Sequence, residues 1–192
     1  MTEKSITDPV NEQIIQELIE VIGDDPLREG LRDTPKRVLK AYKELFAGYQ
    51  QDPAEVLGTT FSEGIDTTQM ILVRDIPFVS FCEHHMLPFK GTAHVAYLPN
   101  SRVVGLSKIP RVVDVFAKRL QVQERLTDQI ADAIQDVLQP LGVGVIINSV
   151  HTCMTMRGVK KNGTSMTTTA LRGTFLDQAQ GHREEFYRML AI

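Results

Sequence analysis

The chain has 192 residues, 42% hydrophobic and 23% charged, the ordinary range for one globular core with a small accessory region. Its formal net charge of −3 excludes the strongly basic balance that draws proteins to nucleic acid or to membrane surfaces, so neither is an expected partner. The start, Met1 to Lys4, runs into polar sequence with no apolar signal region, and no apolar run is long enough to span a bilayer; a cytoplasmic setting is expected.

The first sixty residues carry helical periodicity. Asp8 is placed to cap a helix with Pro9 at its first position. Val10, Ile14, Leu18, Ile19 and Ile22 then recur at helical spacing until Gly23-Asp24-Asp25-Pro26 breaks the pattern. Thr34-Pro35 repeats the start signal, and Val38, Leu39, Tyr42, Leu45 and Phe46 form an apolar face that ends at Gly48. Lys36, Arg37, Lys40 and Lys43 lie around it, the composition of a solvated face.

From Phe61 onward the texture is that of strands. Met70–Ile76 and Thr92–Leu98 are β-rich runs, and between them lies Cys82-Glu83-His84-His85. Two helices follow. Ser107 caps the first, with Pro110 in its first turn and Ile109, Val112, Val113, Phe116 and Leu120 as its buried stripe. The second begins near Gln123-Glu124, buries Leu126, Ile130, Ile134, Val137 and Leu138, and stops at Pro140 and Gly142. A strand over Val143–Met154, another over Met166–Phe175 and a C-terminal helix carrying Phe186, Met189 and Leu190 complete an α+β fold: N-terminal helices, then a sheet packed by a helix pair.

The only two cysteines, Cys82 and Cys153, have three of the five histidines for company. Thiolate and imidazole donors suit zinc. The Cys82/His85 spacing lets one short turn aim both side chains at one ion, and on an extended strand His151 and Cys153 emerge on the same side. Three ligands leave an open position, the mark of a catalytic site, where an ion lowers the pKa of a bound water. A closed Cys2His2 structural site is the competing reading, and spacing alone does not choose between His84 and His85.

Four blocks in order, Cys82-Glu83-His84-His85, Gly105-Leu106-Ser107-Lys108-Ile109, Gln121-Val122-Gln123-Glu124-Arg125-Leu126-Thr127, and His151-Thr152-Cys153 with Arg157-Gly158, resemble the GTP cyclohydrolase I family. Thr34-Pro35-Lys36-Arg37-Val38 is similar to its N-terminal helical part. The resemblance implies a zinc-dependent hydrolase acting on the cyclic amidine of guanine. It converts GTP and water to formate and 7,8-dihydroneopterin triphosphate, the first step of tetrahydrofolate and pterin biosynthesis, and a zinc-activated water attacks guanine C8. It also implies a tunnelling fold over residues 61–192 behind a helical region over 1–60, with two stacked five-membered rings forming a homodecamer and sites between subunits.

Residue by residue, the resemblance makes Cys82, His85 and Cys153 the zinc ligands and His151 the group that protonates the ring nitrogen. His84 becomes a second proton-handling or orienting group, and Ser107 a hydrogen-bonding contributor near the ribose. Glu124 accepts from guanine N1–H and the exocyclic amine, with Gln123 a weaker companion. No Gly-x-x-x-x-Gly-Lys loop is present, so the triphosphate falls to Lys108, Arg111 and Arg157, joined by Arg37 and Lys40 of a neighbouring subunit. A nitrile reductase or a pyruvoyl-tetrahydropterin synthase of the same fold would need a different residue set. A non-catalytic zinc-stabilised binding protein would need a fourth ligand and show no turnover. Arg172 departs from the family pattern, which expects small residues there.

Overall fold

The computed structural model describes residues 6, 9–62 and 69–191; the expected cap Asp8 lies outside the described residues. The chain forms two compact units, Met1–Ala47 and Gly48–Ile192.

The N-terminal unit holds α1 (Pro9–Ile22) and α2 (Thr34–Leu45), which pack on each other. The second start signal is shifted by one residue. Asp33, not Thr34, occupies the cap position, and its carboxylate pairs with Arg37 at 3.1 Å rather than capping the backbone. Along α1, Ile19 is buried whereas Val10, Ile14, Leu18, Val21 and Ile22 are exposed.

The larger unit is built on a five-stranded sheet. Its strands are β2 (Ile71–Cys82), β3 (Pro88–Leu98), β5 (Leu120–Gln121), β6 (Gly142–His151) and β7 (Met166–Gly173), in the spatial order β5-β2-β3-β6-β7. All neighbours are antiparallel except β2 and β5. Two short segments that the periodicity did not reveal, β1 (Thr60–Phe61) and β4 (Val103–Val104), pair with each other, and α3 (Pro53–Leu57) begins at the cap Asp52.

One sheet face is covered by α4 (Lys108–Ala117) and α5 (Gln123–Leu138), the expected helix pair. Ala93, Val95, Val143, Val145 and Ile147 from the strands meet Ile109, Val112, Leu126, Ile130 and Ile134 in one core, all at most 1% exposed. Strand alternation sends Ala96, Leu98 and Ile146 to the opposite face, where Phe175 and, from α7 (His182–Leu190), Phe186 close over them. Gly142 and Gly144 make that closure possible. A Cβ on Gly144 would lie 2.9 Å from both phenyl rings.

Two expected elements end earlier than their patterns. The β7 strand stops at Gly173, which takes φ +57°, and turns Phe175 into the second core. The β6 strand stops at His151, and α6 (Thr152–Thr155) follows as a single helical turn. The expected α+β architecture holds, with a mostly antiparallel sheet and its helix pair on one face.

Candidate metal centre and active site

The site forms where β2, β3, β6 and α5 end together. Cys82 is the last residue of β2, and Glu83–Leu87 make the tight connection to β3. The thiol residue anchors that turn with its own backbone: its N–H donates to Leu87 O at 2.9 Å, and its carbonyl accepts from Met86 N–H at 2.8 Å. Met86 takes φ +53°, the left-handed conformation that closes so short a loop. This folds His85 back onto its neighbour, with Nδ1 3.7 Å from Cys82 Sγ.

Cys153 arrives by a different route from the one its spacing implied. It is not on a strand with His151; it is carried inward by the helical turn α6, pinned by a hydrogen bond from Thr152 Oγ1 to Pro88 O at 2.5 Å. Strand alternation instead places Ser149 and His151 on the same face of β6, toward α5.

The donor atoms of Cys82, His85 and Cys153 all lie within 4.8 Å of one another. Two donors held by one tetrahedral zinc-sized ion, a sulfur at about 2.3 Å and a nitrogen at about 2.0 Å, stand roughly 3.5 Å apart. The Cys82–His85 separation of 3.7 Å fits that edge. Burial first, and then the adjacent Cys82 thiol, push the Cys153 thiol above its ordinary value, with Arg157 opposing them. A divalent cation held by these residues would invert that balance and favour both thiolates. The cluster is compatible with a metal ion. His84 Nδ1 also comes to 3.9 Å of Cys82 Sγ, but its side chain is 65% exposed and stands outside the three-donor group.

Beside the cluster, His151 stacks on Phe89 with ring centroids 4.4 Å apart and an interplanar angle of 8°. Burial pushes its pKa below the ordinary imidazole value, while the exposed carboxylate of Glu124 in the first turn of α5 pulls the other way. Gln123 stands beside Glu124 at the start of α5 and turns its side chain inward. Its side chain is 1% exposed and its carboxamide is committed inside the protein, donating to Ile147 O and Met166 O and accepting from Ser149 Oγ. The signal was present in the sequence, since Gln123, Leu126, Thr127, Ile130 and Ile134 follow the buried stripe of one helix.

Ser107 holds the cap position of α4, but its backbone is helical and its side chain makes no capping bond. Lys108 and Arg111 occupy the first turn of that helix, and Arg157 lies just beyond α6. None of these three cations pairs with a carboxylate among the described residues. Arg37 and Lys40 are exposed on the N-terminal unit. Residue identity alone had not revealed Glu83, Arg125, Ser149 or Phe89 as parts of the site.

The sequence profile described as GTP cyclohydrolase I matches residues 11–191 of this chain. The chain belongs to the GTP cyclohydrolase I family. Among its relatives, GTP cyclohydrolase 1 of Brucella suis is 57% identical over 171 residues, spanning 89% of this chain and 80% of that protein. GTP cyclohydrolase 1 of Brucella anthropi is 55% identical over 181 residues, 94% of this chain and 83% of that protein. A solved structure of the archaeosine synthase QueF-Like in the apo form aligns with a TM-score of 0.46 and 17% identity, covering 54% of this chain and 93% of that one. With the family in hand, the α+β arrangement is that of the tunnelling fold, and the Cys/His cluster falls inside the matched region. No helix among the described residues is long and apolar enough to cross a membrane.

Proposed function

We propose that this chain hydrolyses and rearranges GTP to formate and 7,8-dihydroneopterin triphosphate, with zinc as its metal, at the entry to tetrahydrofolate and pterin synthesis. The observation that carries this reading is the convergence of Cys82, His85 and Cys153 within 4.8 Å, in a chain of this family. Two thiolates and an imidazole suit zinc above the harder divalent ions. When bound, the ion supplies an acidified water for attack on guanine C8.

The chain's own groups do the rest. His151, held flat on Phe89, delivers a proton to the imidazole nitrogen of guanine as its ring opens. His84, largely exposed at the rim, exchanges protons with solvent during the later steps. Glu124 presents two oxygens to guanine N1–H and the exocyclic amine, a donor pair that adenine lacks. Lys108 and Arg111, three residues apart at the start of α4, receive the triphosphate where backbone N–H groups also favour anions, and Arg157 joins them. Ser107 hydrogen-bonds near the ribose. Arg37 and Lys40 complete the phosphate site from a neighbouring subunit, Arg37 exchanging Asp33 for phosphate.

That last role requires an assembly, and we take it to be a decamer of two stacked pentamers. The exposed Val10, Ile14, Leu18, Val21 and Ile22 on α1 support association, because an apolar stripe of that length is rarely left to water. Both cysteines are free, in keeping with a reducing cytoplasm.

The test is to incubate the metal-loaded protein with GTP and measure formate together with the fluorescent oxidised pterin. Folded, metal-loaded protein that yields neither rejects the reading. A closed structural site has one observation in its favour, the 3.9 Å from Cys82 Sγ to His84 Nδ1. It predicts bound metal, no turnover, and loss of metal in His84→Ala.

A further inference from the structure

Gln123 is the first residue of α5, and its carboxamide is buried. An amide side chain has two N–H donors at one end and an oxygen with two lone pairs at the other, and the two ends look alike in shape. Here the surroundings distinguish them. Nε2 lies 3.0 Å from Ile147 O and 3.0 Å from Met166 O. Both are backbone carbonyls that can only accept, so the nitrogen belongs at that end. Turning the amide over would set its oxygen against two carbonyl oxygens.

Thr168 agrees with this orientation. Thr127 Oγ1 donates to Gln123 O at 2.7 Å, so the 2.6 Å contact between the two threonines is donated by Thr168. The Thr168 oxygen is then free to face Gln123 Nε2 at 3.1 Å as an acceptor, sharing one of the amide's two hydrogens with a backbone carbonyl.

With the amide so fixed, Oε1 faces Ser149 Oγ at 2.6 Å and His151 Nε2 at 2.9 Å. An amide oxygen cannot donate. The hydrogen in the second bond therefore sits on His151 Nε2. Stacking on Phe89 holds the plane of the ring, and a half-turn within that plane would set Cε1 rather than a nitrogen against Oε1.

We propose that Gln123 is a positioning residue that locks His151 in its Nε2–H tautomer, so that Nδ1 is the atom that exchanges the proton with the guanine imidazole nitrogen. The inference rests on the role of His151 given above. In the step, the Nδ1–H bond of the imidazolium breaks as an N–H bond forms on the substrate ring. The electron pair stays on Nδ1, Nε2 keeps its hydrogen throughout, and solvent restores the proton. Gln123 touches no reacting atom. It acts by deciding which nitrogen of His151 is chemically available.

The decisive measurement needs no variant. Metal-loaded protein labelled with nitrogen-15 at histidine is observed by long-range proton–nitrogen correlation, in which the two neutral tautomers have different patterns. The expected pattern for neutral His151 is protonated Nε2 and bare Nδ1; protonated Nδ1 overturns the proposal. Gln123→Met keeps the shape and removes the acceptor. It is expected to mix the tautomers and lower kcat roughly 10- to 100-fold, less than the loss of about 10²- to 10⁴-fold expected for removing a general acid in His151→Ala. KM for GTP and metal content should stay within about twofold of wild type. A raised KM with unchanged kcat would make Gln123 a substrate contact and sink the idea. If His151→Ala turns over normally, the assignment of His151 fails instead, and the tautomer pattern still decides what Gln123 does.

Discussion

Arg125, in the first turn of α5, donates through Nη2 to Glu83, the residue that follows the first thiol of the metal cluster. The same guanidinium donates through Nε to Gln121 Oε1 at 3.2 Å, and Gln121 is itself tied to Gln129 and to Phe116 O. The pair thus latches the turn that carries His84 and His85 to the helix that carries Glu124. Arg125→Gln is expected to raise the rate of metal loss to a chelator by about threefold to tenfold, within reach of what support residues behind a metal site contribute. Arg125 holds the Glu83 carboxyl below its ordinary value of 4.5. The latch is therefore complete above that pH and lost as pH falls through the lowered value. Release rates for wild type and variant should differ at neutral pH and converge in acid; equal rates at neutral pH would refute the latch.

Removal of metal donors should separate the ligands from their neighbours. Cys82→Ser, His85→Ala and Cys153→Ser are each expected to lose stoichiometric metal, measured by elemental analysis, and to lose turnover by at least about 100-fold. His84→Ala should keep its metal. Chelated wild-type protein should recover activity on addition of zinc. Metal retained in His85→Ala but lost in His84→Ala would reverse the assignment.

Glu124→Gln replaces a charged acceptor by an amide with one oxygen. A hydrogen bond to a charged group contributes about 1.5–3 kcal/mol, so kcat/KM for GTP should fall roughly 10- to 150-fold. Binding of inorganic triphosphate, followed by calorimetry, should change little. Parallel losses for both ligands would place Glu124 at the phosphates or in the scaffold.

His94 offers a test away from the site. Its Nδ1 accepts the N–H of Asp75 at 3.2 Å, where β2 bulges and Asp75 takes φ +59°. Burial holds its pKa below the ordinary 6.5, with the Asp75 carboxylate opposing and Arg74 reinforcing the shift. A histidine that resists charging in the folded state adds stability above 6.5, and that contribution is lost as pH falls through its lowered value. In thermal melts between pH 7 and 5, wild type should lose stability faster than His94→Asn, which keeps an acceptor but does not titrate. Parallel melting curves would exclude His94 as the cause.

Much of the fold was legible because burial and periodicity coincide in α4, α5, β3 and β6, whose apolar residues repeat every 3.6 or 2 positions over lengths that average out exceptions. The Cys82, His85 and Cys153 cluster was legible as chemistry, since thiols and imidazoles are scarce and clustered here. What resisted reading were changes of conformation inside a continuous pattern. Val143–Met154 reads as one strand, yet α6 begins at Thr152, because a hydroxyl that can reach Pro88 O competes with ladder hydrogen bonds. Arg172 resisted for another reason: its partners are remote in sequence. Its guanidinium reaches Asp132 at 2.6 Å and Asp128 at 2.9 Å, successive turns of α5. Such a pairing becomes visible only once β7 lies beside that helix. Gln123 resisted in the same way, since its carboxamide bonds to Ile147 and Met166, on strands remote in sequence.

The route by which Cys153 reaches Cys82 has a mechanical consequence. The two thiols are about 70 residues apart along the chain, one at the end of β2 and the other on the turn that follows β6, and β3 lies between those strands. An ion gripping both sulfurs is a reversible staple across three strands. Closing a loop of that length removes unfolded-chain freedom equivalent to roughly 4 kcal/mol in a simple entropy treatment. A metal held there would thus also slow the separation of β2 from β6, and a protein stripped of it should fray first at those strand ends.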